Sequence, residues 1–75
     1  MKELVEYIAK SLADKPEEVV VTEEQEEEGT KISLKVDDVD KGRIIGKQGR
    51  IAQAMRSLIR VKAAKAGTKA RLEIL

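Results

Sequence analysis

Leu4, Val5, Ile8 and Leu12 recur at three- and four-residue spacing with Lys2, Glu6 and Lys10 among them, which predicts an amphipathic helix over residues 2–13. Pro16 stops it. The β-branched run Val19-Val20-Val21-Thr22 reads as a strand. Beyond an acidic tip at Glu26-Glu27-Glu28-Gly29, Ile32, Leu34 and Val36 alternate with Lys31, Ser33 and Lys35 in a second strand, so the two form a hairpin. Asp37 or Asp38 caps a short helix whose first turn gains from Asp40, and Gly46 ends it in a left-handed conformation. From Arg50 to about Ala66, Ile51, Ala54, Met55, Leu58, Ile59 and Val61 occupy one broad helical face, with Gln53, Arg56, Arg60 and Ala64 opposite. Gly67 closes that helix, and Ala70-Arg71-Leu72-Glu73-Ile74-Leu75 alternates as a last strand expected to finish inside the sheet. The predicted order is αββααβ: an α+β fold with a three-stranded sheet packed against helices, one domain over residues 1–75.

Composition narrows what such a fold can do. Of the 41% apolar residues eight are Ala, so the core rests on a limited set of Leu, Ile and Val, and association with a second chain would supplement it. The chain has no Cys and no His, which removes disulfides, thiolate metal sites, cysteine nucleophiles and the commonest general base. An enzyme is therefore not expected, and neither is a cofactor, a metal or a small-molecule substrate. No apolar run approaches the ~20 residues that cross a bilayer, and Met1-Lys2-Glu3 lacks the layout of a signal peptide. The expectation is a cytoplasmic protein with no membrane partner.

The net charge of +1 hides a division along the chain. Residues 1–40 carry 5 basic and 13 acidic side chains (−8), whereas residues 41–75 carry 10 basic and one acidic (+9). A basic half on a near-neutral molecule points to a local site for a polyanion. The five Glu between positions 23 and 28 read instead as a solvated turn and strand edge that resists aggregation.

The chemistry concentrates in Gly42-Arg43-Ile44-Ile45-Gly46-Lys47-Gln48-Gly49-Arg50, preceded by Lys41. Gly46 and Gly49 bracket Lys47 and Gln48 as a two-residue tip between two helices, and glycines there let a second backbone approach without a Cβ in the way. The helix starting at Arg50 offers free N–H groups and a positive dipole end to phosphate oxygens. Lys47 adds a mobile charge and Arg50 a forked donor. Such a loop grips a phosphodiester chain without reading its bases. A nucleotide-binding P-loop is excluded, because three rather than four residues separate Gly42 from Gly46 and Gln48 rather than Ser or Thr follows Lys47. The plainer alternative is a helix-to-helix turn whose glycines serve only backbone angles. Lys47, Arg50 and Arg43 around it argue against that reading.

Ile44-Ile45-Gly46-Lys47-Gln48-Gly49-Arg50-Ile51, followed by a helix and a strand, resembles the signature of the KH domain, whose GXXG loop clamps about four nucleotides. The order αββααβ resembles its type II, prokaryotic form. The near-full-length pattern, including the Asp-Lys-Pro turn and the ending Ala70-Arg71-Leu72-Glu73-Ile74, is similar to the small bacterial single-KH proteins of the KhpA family. The resemblance covers essentially all 75 residues. It implies a cytoplasmic protein that binds single-stranded RNA without strong selectivity and without catalysis. It also implies a homodimer or a heteromer with a larger KH-containing partner, and a role in post-transcriptional RNA regulation as an RNA chaperone, linked to envelope growth and division. Carried over by position, the RNA-binding residues are Gly46, Lys47, Gln48, Gly49, Arg50, Arg43, Ile45 and Lys41. Ile44 or Ile45, in preference Ile45, faces a groove bounded by the middle strand, with Ile32 or Leu34 as its floor; ordinary core packing is the alternative for each of these residues. Tyr7 is the only aromatic, so base-stacking platforms of the RRM or OB kind are excluded. Arg56 and Arg60 read as surface solubilisers, and Met55 and Ala63-Ala64 as packing positions. The competing functional class is a protein-interaction or dimerisation module in which the GXXG loop is only a structural turn.

Overall fold

In the computed structural model, which describes residues 1–75, the first amphipathic pattern forms helix α1 (Lys2–Leu12) and buries Val5 and Ala9. A 3-10 turn at Pro16–Glu18 leads into strand β1 (Val20–Glu26), which pairs antiparallel with β2 (Gly29–Lys35). Strand β1 is longer than its β-branched run suggested. Glu23 to Glu26 stay in register opposite Ile32 to Gly29, with Glu24 facing Lys31, so most of the acidic run is strand and only Glu27 and Glu28 turn.

Helix α2 (Asp38–Ile45) starts at Asp37, whose carboxylate accepts the Val39 N–H at 2.9 Å. A 3-10 turn at Lys47–Gly49 joins α2 to α3 (Arg50–Lys65), and β3 (Ala70–Ile74) follows. Sheet order is β1-β2-β3, with β3 parallel to β2 from Thr30 opposite Ala70 to Leu34 opposite Ile74. The last strand does join the sheet, but it is paired on one side only and forms an open edge. Thr30 N–H donates to Lys69 O and Leu75 N–H to Leu34 O, both at 2.9 Å. Alternation along a parallel ladder therefore turns the N–H and C=O groups of Ala70, Leu72 and Ile74 away from the sheet. No helix is long and apolar enough to cross a membrane.

One layer of helices covers one face of this sheet. Ile32 and Leu34 on β2 are fully buried and meet Val5, Ile44, Met55 and Ile59 from the three helices. Each side chain of this kind contributes about 1.5–3 kcal/mol by leaving water. Helix α3 buries Ala52, Met55, Ile59 and Ala63, spaced three or four apart. The broad apolar face read from sequence is thus too wide: Ala54, Leu58 and Val61 face solvent.

One buried charge fixes α2. Asp40 is 1% exposed, and its two carboxylate oxygens accept the N–H groups of Asp14 and Lys15, each at 3.0 Å. The sequence reading gave Asp40 only a dipole role in the first turn. Instead it ties the end of α1 to α2 and satisfies two backbone donors. The hydrogen bond from the Asp14 N–H holds its carboxyl below the ordinary value of 3.8; burial opposes this, and the Lys15 N–H, Arg43 and Lys15 charges assist. A carboxylate lowered in the folded state stabilises fully above its unfolded pKa, and that stability is lost as pH falls through the folded value. Asp40→Asn puts an amide N–H₂ against one of two backbone donors. It is predicted to lower the thermal midpoint at pH 7 more than Asp38→Asn does, and to flatten the fall in midpoint below about pH 4, both read by circular dichroism melts.

Candidate nucleic-acid interface

The loop between α2 and α3 is built by three left-handed residues in four. Gly46 lies at φ 79°, ψ 174°, a combination essentially confined to glycine, while Gln48 (φ 57°, ψ 25°) and Gly49 (φ 72°, ψ 16°) are left-handed helical. Gly46 N–H closes α2 on Gly42 O at 2.9 Å, and Gly49 N–H returns to Gly46 O at 3.2 Å. The two glycines are not equivalent. A Cβ on Gly46 would stand 2.7 Å from Ile51 Cγ1, whereas a Cβ on Gly49 would meet nothing within 4 Å. Gly46 is required by the protein's own packing, and Gly49 presents an open backbone surface to the outside.

Lys47, Gln48 and Arg50 are exposed on this turn, and the only side-chain bond among them is Arg50 Nη2 donating to Gln48 Oε1 at 3.4 Å. No side chain caps α3 and no acidic residue lies in its first turn, so the N-terminal dipole of a 16-residue helix faces outward beside two cations. None of the ion pairs of the chain involves Lys47, Arg50, Arg56 or Arg60. The arrangement is suited to an anion with several oxygens approaching along a backbone.

The remaining site residues divide. Ile44 is fully buried in the core, and Ile45 is half-buried and the more accessible of the two. Lys41 is half-buried on α2 and unpaired, but Arg43 is already engaged, with its Nη1 donating to Asp14 Oδ1 at 2.7 Å. Ile32 and Leu34 cannot be a groove floor, because both are sealed beneath the helices. The strand beside α3 is the edge strand β3 rather than the middle strand. A cleft of about 130 Å³ lies between them, lined by Arg56, Ile59, Arg60, Ala70, Arg71 and Leu72. Sequence reasoning missed the placement of Arg56, Arg60 and Arg71 together, since only the parallel pairing of β3 brings residue 71 back to the long helix. Their half of the chain, at +9, was the one available signal.

An α+β fold of order αββααβ with a Gly-Lys-Gln-Gly turn between its second and third helices is a type II KH domain. The profile described as KhpA/KhpB, KH domain, matches residues 2–74, and this chain belongs to that family. It is 53% identical over 75 residues to the RNA-binding protein KhpA of Clostridium perfringens, covering 100% of both chains. It is 47% identical to that of Listeria monocytogenes, covering 100% of this chain and 99% of the relative. Against that of Aquifex aeolicus the identity is 44%, covering 100% of this chain and 95% of the relative.

Substitution by alanine separates the two glycines. Gly46→Ala combines a glycine-only backbone with a steric contact and is predicted to cost about 3 kcal/mol. Gly49→Ala incurs only the left-handed penalty, about 1 kcal/mol. Urea unfolding of the two variants measures the difference directly.

Proposed function

We propose that this chain binds single-stranded RNA, holding its phosphodiester backbone on Gly46, Lys47, Gln48, Gly49 and Arg50 and laying its bases along the cleft between α3 and β3. The observation that carries the reading is the junction itself: an outward-facing glycine backbone, two unpaired cations and an uncapped helix start, all on one exposed turn. The free N–H and C=O groups of Ala70, Leu72 and Ile74 give base edges hydrogen-bonding partners, and the half-buried Ile45 and Ala70 give them apolar contact. Lys41 and Arg43 extend the basic surface, Arg43 after release from Asp14. The names of the relatives, RNA-binding protein KhpA, favour the same ligand. In this reading the protein is a non-enzymatic, cytoplasmic RNA chaperone in bacterial post-transcriptional regulation, acting without a cofactor.

Replacing Lys47 and Gln48 together by Asp tests it. Both side chains are exposed, and Asp tolerates the left-handed angles of position 48 better than most residues, so the melting temperature should stay near the parent's, within about 0.5 kcal/mol of stability. Affinity for a single-stranded oligonucleotide, read by fluorescence polarisation at fixed salt, should fall by more than about tenfold. A fall of less than about threefold with unchanged melting would return the loop to the role of a structural turn.

A second reading concerns association, and the apolar positions left exposed on α3 favour it. Leu58 is 49% and Val61 56% exposed, three residues apart on the helix and next to exposed Ala54. This stripe is a surface for a second copy or for a larger KH-containing partner. The parent is predicted to sediment as a dimer at tens of micromolar and the Leu58→Gln, Val61→Gln variant as a monomer. A monomeric parent removes the second copy from the reading.

A further inference from the structure

The cleft between α3 and β3 ends at an ion pair that the loop mechanism does not use. Arg71 lines this cleft together with Arg56 and Arg60, and it also lines the adjoining hollow at the hairpin tip with Glu26, Glu28 and Lys69. Its guanidinium is the only one of the three engaged by a carboxylate. Arg71 Nε donates to Glu26 Oε1 and Nη2 to Glu26 Oε2, both at 3.0 Å, the two-pronged geometry that a guanidinium also offers to a phosphate. The contact crosses the whole sheet, from β1 to β3, past Gly29, which stands opposite Glu26 and contributes no side chain. Distance along α3 sets the geometry: at about 1.5 Å per residue, Arg60 lies roughly 16 Å beyond Gly49, so Arg71 and the acidic tip stand at the loop-distal end of the track.

We infer that the Glu26–Arg71 pair is an electrostatic latch: in the free protein Glu26 occupies the guanidinium fork that would otherwise take a phosphate of a bound single strand, so the hairpin tip ends the track and limits the footprint to the nucleotides nearest the loop. This rests on the RNA-binding reading above. The hydrogen bond from Arg71 holds the Glu26 carboxyl below its ordinary value, the direction expected of a carboxylate engaged by a guanidinium. Both partners are solvent-exposed, and an exposed pair of this kind adds little to folding, so it can open without unfolding the hairpin.

The test compares the parent, Glu26→Gln and Glu23→Gln by fluorescence polarisation with oligouridylates of 4 and 12 nucleotides across a salt series. Glu23→Gln removes the same charge from the same strand without touching Arg71. The latch predicts that Glu26→Gln tightens binding of the 12-mer by about three- to tenfold and steepens its salt slope by about 0.7, one more phosphate contact on a single strand. The 4-mer and the Glu23→Gln variant should be unmoved, and adding Arg71→Ala to Glu26→Gln should cancel the gain. Equal effects on both oligonucleotides, or equal effects of the two Gln variants, would reduce the pair to general electrostatics and overturn the latch. If the Lys47→Asp, Gln48→Asp variant loses binding while Glu26→Gln changes nothing, the latch alone fails. If the parent binds neither oligonucleotide, the RNA-binding reading fails and the latch with it.

Discussion

Two helices have to bury side chains on the same face of one sheet while the chain between them reverses within a few residues, and Gly46 is where that constraint is met. Ile44 must reach the core from the last turn of α2, and Ala52 and Met55 must reach it from the first turns of α3. The chain has only positions 45 to 50 in which to change direction. Gly46 accomplishes this at φ 79°, ψ 174°, with Ile51 packed where its Cβ would be. The left-handed Gln48 and Gly49 then set the direction of α3. Everything proposed for the loop follows from that geometry. A turn this tight pushes Lys47 and Gln48 outward and leaves the start of α3 bare.

Electrostatics divides the molecule along the same lines. The acidic first half is used internally: Asp40 caps backbone donors at the end of α1, Asp14 holds Arg43, and Glu26 holds Arg71. The basic second half is left largely unpaired from the loop along α3. Neutralisation between the halves is therefore real but local. It spares Lys47 and Arg50 at the turn and Arg56 and Arg60 beside the cleft, none of which enters an ion pair.

Local chemistry was legible in the sequence and long-range pairing was not. Helix α1, the Asp-capped α2, the glycine turn and the hairpin are marked by residues within a few positions of one another, and each formed close to where its pattern predicts. The burial face of α3 was misread because an Ala-rich helix offers several apolar faces. Which one packs depends on the width of the sheet beneath, and the structure chose Ala52, Met55, Ile59 and Ala63 over Ala54, Leu58 and Val61. The strand beside α3 was hidden for a related reason: alternation shows that residues 70–75 form a strand but not that it lies parallel to β2 at an open edge. Asp40 looked like an ordinary first-turn acid because its partners, Asp14 and Lys15, lie 26 and 25 residues away.

The central claim is that one strand of RNA lies from the glycine turn along the cleft between α3 and β3. Amide chemical-shift mapping of the ¹⁵N-labelled protein during titration with a single-stranded oligouridylate tests it most directly. The account predicts that the largest shifts fall on Lys47 to Ala52 and on Ala70, Leu72 and Ile74, whose N–H groups face the open edge, while Val20 and Thr22 on the far edge of the sheet stay still. Shifts confined to Ala54, Leu58 and Val61, or spread evenly over the basic residues without the turn, would contradict it.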